Sequence, residues 1–159
     1  MIKIFVSLNL FLKELTVTDA PNLFAAINDN RDFLSTWLPW VVTTTTTADS
    51  LGFIQFTQVQ RELGKSLSCG IWHDGKLVGT VSLVDINQER RTAEIGYWIV
   101  EAEQGQGIVT NACKKLMRYA FERRDDIDQI IIRCVTANSK SFNLINRLHL
   151  SCESIFEPQ

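Results

Sequence analysis

"AEIGYWIVEAEQGQGIVTNACKKLMRYAF", residues 93–121, contains the change of pattern on which the fold turns. Its first half alternates apolar and polar residues as a strand does. Its second half, 108–121, carries Ile108, Val109, Ala112, Cys113, Leu116, Met117, Ala120 and Phe121 in pairs every four residues, the spacing of one helix face. Asn111, Lys114, Lys115 and Arg118 take the other face. Between the two halves stand Gly105 and Gly107. A glycine-rich turn that ends a strand and opens a helix builds an anion site, because the first N–H groups of a helix lack internal partners and its dipole favours negative charge there. A turn that merely needs positive φ angles would look the same.

Working outward, "SLSCGIW" (66–72) and "KLVGTVSLV" (76–84) also alternate, and Asp74–Gly75 between them is a hairpin signal. "NQERR" (87–91) is a second turn, and 92–100 a third strand, which gives an antiparallel meander. Residues 2–8 and 10–17 read as strands ahead of it. Thr18 can cap a helix whose first turn holds Asp19 and Pro21 and whose apolar face is Leu23, Phe24 and Ile27. "FLSTWLPWVV" (33–42) loses its helical character at Pro39, threonines 43–47 signal a loop, and 48–63 is helical again, with Leu51, Ile54 and Leu63 near one side. Beyond the glycine helix, "QIIIRCV" (129–135) is a continuous apolar strand, 139–148 a short helix and 150–156 a last strand. The pattern is α/β (α+β), and 159 residues without a repeat or linker suit a single domain, 1–159.

Composition narrows the function. Net charge is −2, which argues against a general nucleic-acid binder. No apolar run approaches the ~18 residues of a membrane span. The first residues mimic a short signal peptide, but their alternation suits strands and no small-residue cleavage site follows, so the expected location is cytoplasmic. The four cysteines form no CxxC pair and histidines number two, so no metal site is expected. The dinucleotide fingerprint would need a third glycine where Thr110 stands, and the P-loop would need Gly-Lys-Ser/Thr.

The stretch 93–121 resembles the acyl-CoA loop of the GNAT acetyltransferase superfamily, in particular its RimJ/RimL-type ribosomal-protein N-acetyltransferases. "LTVTDAPNLFAAINDNRDFLSTWLPWV" (15–41), "GKLVGTVSLVDINQERRTAEIGYWI" (75–99) and "RCVTANSKSFNLINRLHL" (133–150) extend the resemblance over most of the chain. It implies the GNAT fold, a mixed and mostly antiparallel sheet with helices on both faces. The sheet would open into a V between 92–100 and 129–135, where acetyl-CoA enters. Two departures stand out. Ala102 occupies the position where the family loop often has Gln or Arg, and Leu148-His149-Leu150 replaces a frequent Leu-Gly-Phe.

The resemblance also implies a reaction, direct transfer of an acetyl group from acetyl-CoA to a primary amine, with no metal. The expected acceptor is a peptide or protein N-terminus of ribosomal-protein type. A small-amine or antibiotic acetyltransferase and a non-catalytic acyl-CoA-binding module stay open beside it. Glu94, on the strand entering the loop, is the candidate base; a strand-edge charge is the plain reading of the same residue. The tyrosine that many members use as an acid falls at Ile145, whereas the subgroup pattern C-x-x-x-N-x-x-S matches Cys134, Asn138 and Ser141. Ser141 is therefore the candidate acid. The cofactor set is Ile99, Val100, Gln104, Gly105, Gln106, Gly107, Ile108, Val109 and Asn138, and Asn138 can equally cap the helix that follows. Trp37, Trp40 and Trp98 are the candidate acceptor wall. The family fold continues past Gln159 with a further hairpin strand. Without that strand the edge of 129–135 is expected to be covered, in a homodimer.

Overall fold

The structure, a computed structural model, describes residues 1–132. Six strands form one sheet in the order β1 to β6: β1 Lys3–Ser7, β2 Leu10–Glu14, β3 Leu67–His73, β4 Lys76–Asn87, β5 Thr92–Ile99 and β6 Gln129–Ile132. The first five pair antiparallel with their neighbours. β6 runs parallel to β5, with Thr92 through Ile95 opposite Gln129 through Ile132. A parallel neighbour requires a crossover, and α4, Ile108–Arg123, supplies it. The expected meander and mixed sheet are both present.

Two apolar cores explain the placement of the helices. Along each strand the side chains alternate between faces. Leu12, Cys69, Ile71, Val81, Leu83 and Ile95 point to one face and pack with Ala112, Cys113, Leu116 and Ala120 of α4. Trp72, Leu77 and Trp98 point to the other and pack with α1 (Ala20–Asn28), α2 (Arg31–Ser35) and α3 (Thr47–Glu62) through Leu23, Ile27, Leu34 and Ile54.

Several boundaries differ from the sequence expectation. The second strand stops at Glu14, because Thr16 caps a 3₁₀ turn, Val17–Asp19, and the Asp19 carboxylate accepts the Thr16 N–H at 2.8 Å. Thr16, not Thr18, thus opens this helical stretch. Pro39, expected to end the helical character, instead begins a 3₁₀ turn, Pro39–Thr43, which takes in the first of the expected loop threonines. α3 begins with a capping box in which Thr46 and Asp49 bond each other's backbone N–H. β4 runs past position 84 to Asn87 through a bulge at Asp85, whose φ is +48°. Phe121, placed on the core face of the helix by its pairing with Ala120, is exposed. At ~100° per residue it lies far round from the Ala112–Leu116–Ala120 stripe.

Candidate acetyl-donor and acceptor site

The turn between β5 and α4 decides the chemistry. Val100 leaves β5 and starts a 3₁₀ turn, Glu101–Glu103. Gly105 and Gly107 follow with φ of +76° and +75°, a left-handed conformation that side chains rarely adopt. Positive φ is therefore one reason for both glycines. Space is a second. A Cβ on Gly105 would meet nothing within 4 Å, and on Gly107 only Asn111 Nδ2 at 3.8 Å. The loop thus presents bare backbone to solvent. Gly107 caps α4, whose first internal bond runs from Asn111 N–H to Gly107 O at 3.0 Å, so the N–H groups of Ile108, Val109 and Thr110 have no partner inside the helix. Amides and dipole together form a cradle for an anionic group.

Two members of the expected cofactor set have donors committed elsewhere. The Gln104 N–H donates to Glu101 O at 3.2 Å, and the Val100 N–H to Val78 O on β4 at 2.9 Å. Because backbone groups alternate along an antiparallel strand, the N–H and C=O of Ile99 face the β6 side instead. Gln106 donates its side-chain amide to Ala102 O at 3.5 Å. Ile108 is buried and anchors the helix start, with Val109 half-buried beside it.

Glu94 lies on β5 opposite Val84 of β4 and Ile131 of β6, half-buried. By strand alternation Glu94, Gly96 and Trp98 share the face that packs under α1 and α3. Gly96 is opposite Ser82, and a Cβ there would meet nothing within 4 Å, so the sheet surface beside Glu94 is open. Trp98 is only 8% exposed, so of the three tryptophans expected at the acceptor it is the one that lies within the core. Its ring meets that of Trp40 at 6.3 Å and 58°. Trp40 and Trp37 are the exposed aromatics, at 41% and 44%. Asn138, Ser141 and the neighbouring Cys134 lie outside the described residues, as do the expected helix 139–148 and strand 150–156.

The family model for the acetyltransferase (GNAT) domain matches residues 9–151. This chain belongs to that family. It is 34% identical over 125 residues to YdaF of Bacillus subtilis, a protein named as a ribosomal N-acetyltransferase, covering 77% of this chain and 67% of the relative. It is 28% identical over 119 residues to the ribosomal-protein-serine acetyltransferase of Escherichia coli, covering 75% and 66%. The chain thus spans about two thirds of the length of these curated relatives. Among solved structures it resembles the microcin C7 self-immunity acetyltransferase MccE in complex with acetyl-CoA and AMP. That match has 30% identity and TM-score 0.89, and covers 94% of this chain and 82% of the other. It also resembles RimL, the ribosomal L7/L12 alpha-N-protein acetyltransferase, in complex with coenzyme A. Here identity is 28% and TM-score 0.90, over 96% and 86% of the two chains. The GNAT fold expected from the glycine stretch is the fold observed.

Three positioning residues escaped the sequence reading. His73, at the end of β3, is 2.8 Å from Glu103 through Nδ1, and Glu103 stands two residues before Gly105. Asn30 accepts the Glu101 N–H on its side-chain oxygen at 3.3 Å. The turn that aims the glycine loop is therefore tied to both β3 and the end of α1. Arg31 donates to Val41 O and Thr44 O, both at 2.6 Å, and so braces the turn that carries Trp40. The partners lie 10 to 71 residues apart in sequence, and no local pattern links them. The thiols of Cys69 and Cys113 are pushed up to about 12 by burial, which removes them as nucleophiles.

Proposed function

We propose that this protein is an N-acetyltransferase that uses acetyl-CoA and moves the acetyl group directly to a primary amine. The acceptor is the N-terminus of a peptide or protein of the ribosomal type. The observation that carries this reading is the β5–Gly-x-Gly–α4 turn, with both glycines at positive φ and open space above them. A pyrophosphate fits there on the amides of Gly105 through Val109, where no side chain intervenes. The acetyl-CoA and coenzyme A bound to MccE and RimL support the donor, and the names of YdaF and of the E. coli relative support the acceptor class.

When bound, acetyl-CoA supplies an acyl carbon already activated as a thioester. The chain then has three tasks. Backbone N–H groups on the β6 side of β5 polarise the carbonyl and hold the oxyanion. Glu94, beside the open surface at Gly96, takes the proton that the acceptor ammonium must lose before it attacks as a neutral amine. Ser141 donates toward the departing sulfur as the C–S bond breaks. Trp40, backed by Trp98, and Trp37 form the wall against which the acceptor's first residues lie. Unpaired thiols at Cys69 and Cys113 suit a reducing compartment, and we place the reaction in the cytoplasm.

The test is thiol release from acetyl-CoA in the presence of N-terminal ribosomal-protein peptides, run against a panel of small amines. Peptide-dependent release with mass transfer to the α-amine is expected. Release with small amines alone would replace the acceptor, and no release with either would leave a binding module. Glu94→Gln is expected to lower turnover and flatten its rise with pH. Unchanged turnover over roughly pH 6–9 would remove Glu94 from the role of base.

A further inference from the structure

Among the described residues three glycines stand inside strands, and their surroundings differ. A Cβ on Gly96 of β5 would meet nothing within 4 Å. One on Gly70 of β3 would press on the ends of side chains, Leu77 Cδ1 at 2.6 Å and Leu15 Cδ2 and Trp72 Nε1 at 3.0 Å. On Gly79 of β4 it would press on backbone. It would fall well inside 3.0 Å of the Trp98 carbonyl oxygen, and lie 3.0 Å from Ile99 Cα and 3.1 Å from the Trp98 carbonyl carbon. Backbone in a sheet cannot swing aside as a leucine tip can. Unlike Gly75, Gly105 and Gly107, Gly79 has no positive φ. Close approach of another strand, not its own conformation, is what calls for glycine at this position.

The approach comes where β4 bulges. Ile71 of β3 pairs with Gly79 and Trp72 with Leu77, so Val78 between them has no β3 partner in register. On its other side Gly79 is opposite Ile99, the last residue of β5. Val100 N–H bonds Val78 O at 2.9 Å, which makes Gly79–Ile99 the narrow, non-hydrogen-bonded kind of pair, with Cα atoms ~4.5 Å apart. In such a pair the peptide groups of Ile99 point away from β4, toward the β6 side. The position of the Ile99 N–H is therefore set by how closely β4 can meet β5 at residue 79.

We propose that Gly79 is a positioning residue for acetyl transfer. It lets β4 close on Trp98 and Ile99, and so holds the Ile99 N–H where the thioester carbonyl can accept it. This rests on the acetyl-CoA reading given above. A side chain at 79 would push the end of β5 off β4 and carry that N–H out of place. A displacement on the order of 1 Å is enough to cost ~10²-fold in rate when a group must meet a reacting atom. The glycine turn is tied separately, through Glu103 to His73 and through Glu101 to Asn30, so the hold on the pyrophosphate is expected to survive.

Gly79→Ala tests the assignment, with Gly70→Ala as the comparison variant. Both should lose thermal stability. Only Gly79→Ala should lower kcat with the peptide acceptor, about tenfold or more, while its dissociation constant for acetyl-CoA changes less than about threefold. Infrared difference spectra with acetyl-CoA isotope-labelled at its carbonyl read the polarisation without any acceptor. The carbonyl stretch should fall on binding to the wild type and to Gly70→Ala, and stay nearer its free value in Gly79→Ala. In the wild-type protein the Ile99 amide proton should move downfield with acetyl-CoA and less with coenzyme A, which lacks the carbonyl. Wild-type kcat and carbonyl stretch in Gly79→Ala, equal losses in Gly70→Ala, or an Ile99 amide that responds alike to the two ligands would each overturn the proposal. The amide result does so even if Gly79→Ala does not fold. A wild-type chain that binds no acetyl-CoA would overturn the underlying reading as well, whereas any of the other outcomes in a chain that binds it would overturn the role of Gly79 alone.

Discussion

His73 and Glu103 lie on separate elements, and their 2.8 Å contact joins β3 to the turn ahead of the glycine loop. Asn9 Nδ2 is 3.4 Å from His73 Nε2 and also donates to Asp74 at 2.8 Å, so two hairpin tips brace the imidazole. Loosening Glu103 should therefore let the loop amides wander. His73→Ala and Glu103→Gln are each expected to speed hydrogen exchange across 101–109 in the free protein. They should also raise KM for acetyl-CoA several-fold while kcat falls less, and the double variant should add little to either single one. Unchanged exchange and KM would show that the contact positions nothing. At this scale only what depends on backbone conformation or local spacing was legible in the sequence. Gly105 and Gly107 were legible because positive φ selects glycine. The burial of Trp98 was not, because Trp40, which covers it, comes from a turn 58 residues earlier. His73 looked only like a histidine too isolated to bind metal.

Elements whose shape is set by local chemistry were legible, and those shaped by packing were less so. The β3–β4 hairpin followed from Asp74–Gly75, both at positive φ, φ +50° and +79°. The continuation of β4 through the Asp85 bulge did not, because a bulge leaves no alternation to follow. The link from α4 to β6 is similar. Arg91, itself at φ +58°, donates to both carboxylate oxygens of Asp128 and to the carbonyl of Asp125. Arg124 holds Asp126 in a two-pronged bond at 2.9 and 2.7 Å. The guanidinium of Arg91 lowers the Asp128 carboxyl below its ordinary range, and that of Arg124 lowers Asp126. Folded values depressed in this way contribute stability that is full above the ordinary carboxylate range and is lost as pH falls through the folded values. Carboxyl titration by NMR should place both midpoints below those of an unfolded peptide. Arg91→Ala should return Asp128 to the ordinary range and move Asp126 little. An Asp128 midpoint unmoved by Arg91→Ala would contradict the pairing.

The whole molecule is a sheet with a different task on each face. α4 seals one face, with the glycine turn at its N-terminus. α1, α2 and α3 cover the other, which carries Glu94, the open surface at Gly96 and Trp98 beneath Trp40. The order of strands and the crossover were readable from the alternation and from the helix that follows the glycines. How the three expected tryptophans are arranged was not readable, since Trp40 and Trp98 meet only in the folded chain. The central claim is that the glycine turn holds the pyrophosphate of acetyl-CoA, and calorimetry of acetyl-CoA binding tests it most directly. The wild-type protein should bind with one site per chain. Replacing Gly105 and Gly107 together with valine should raise the dissociation constant tenfold or more, about 1.4 kcal/mol, while circular dichroism stays unchanged. Equal affinity in the two proteins, or a wild-type chain that binds no acetyl-CoA, would contradict the account.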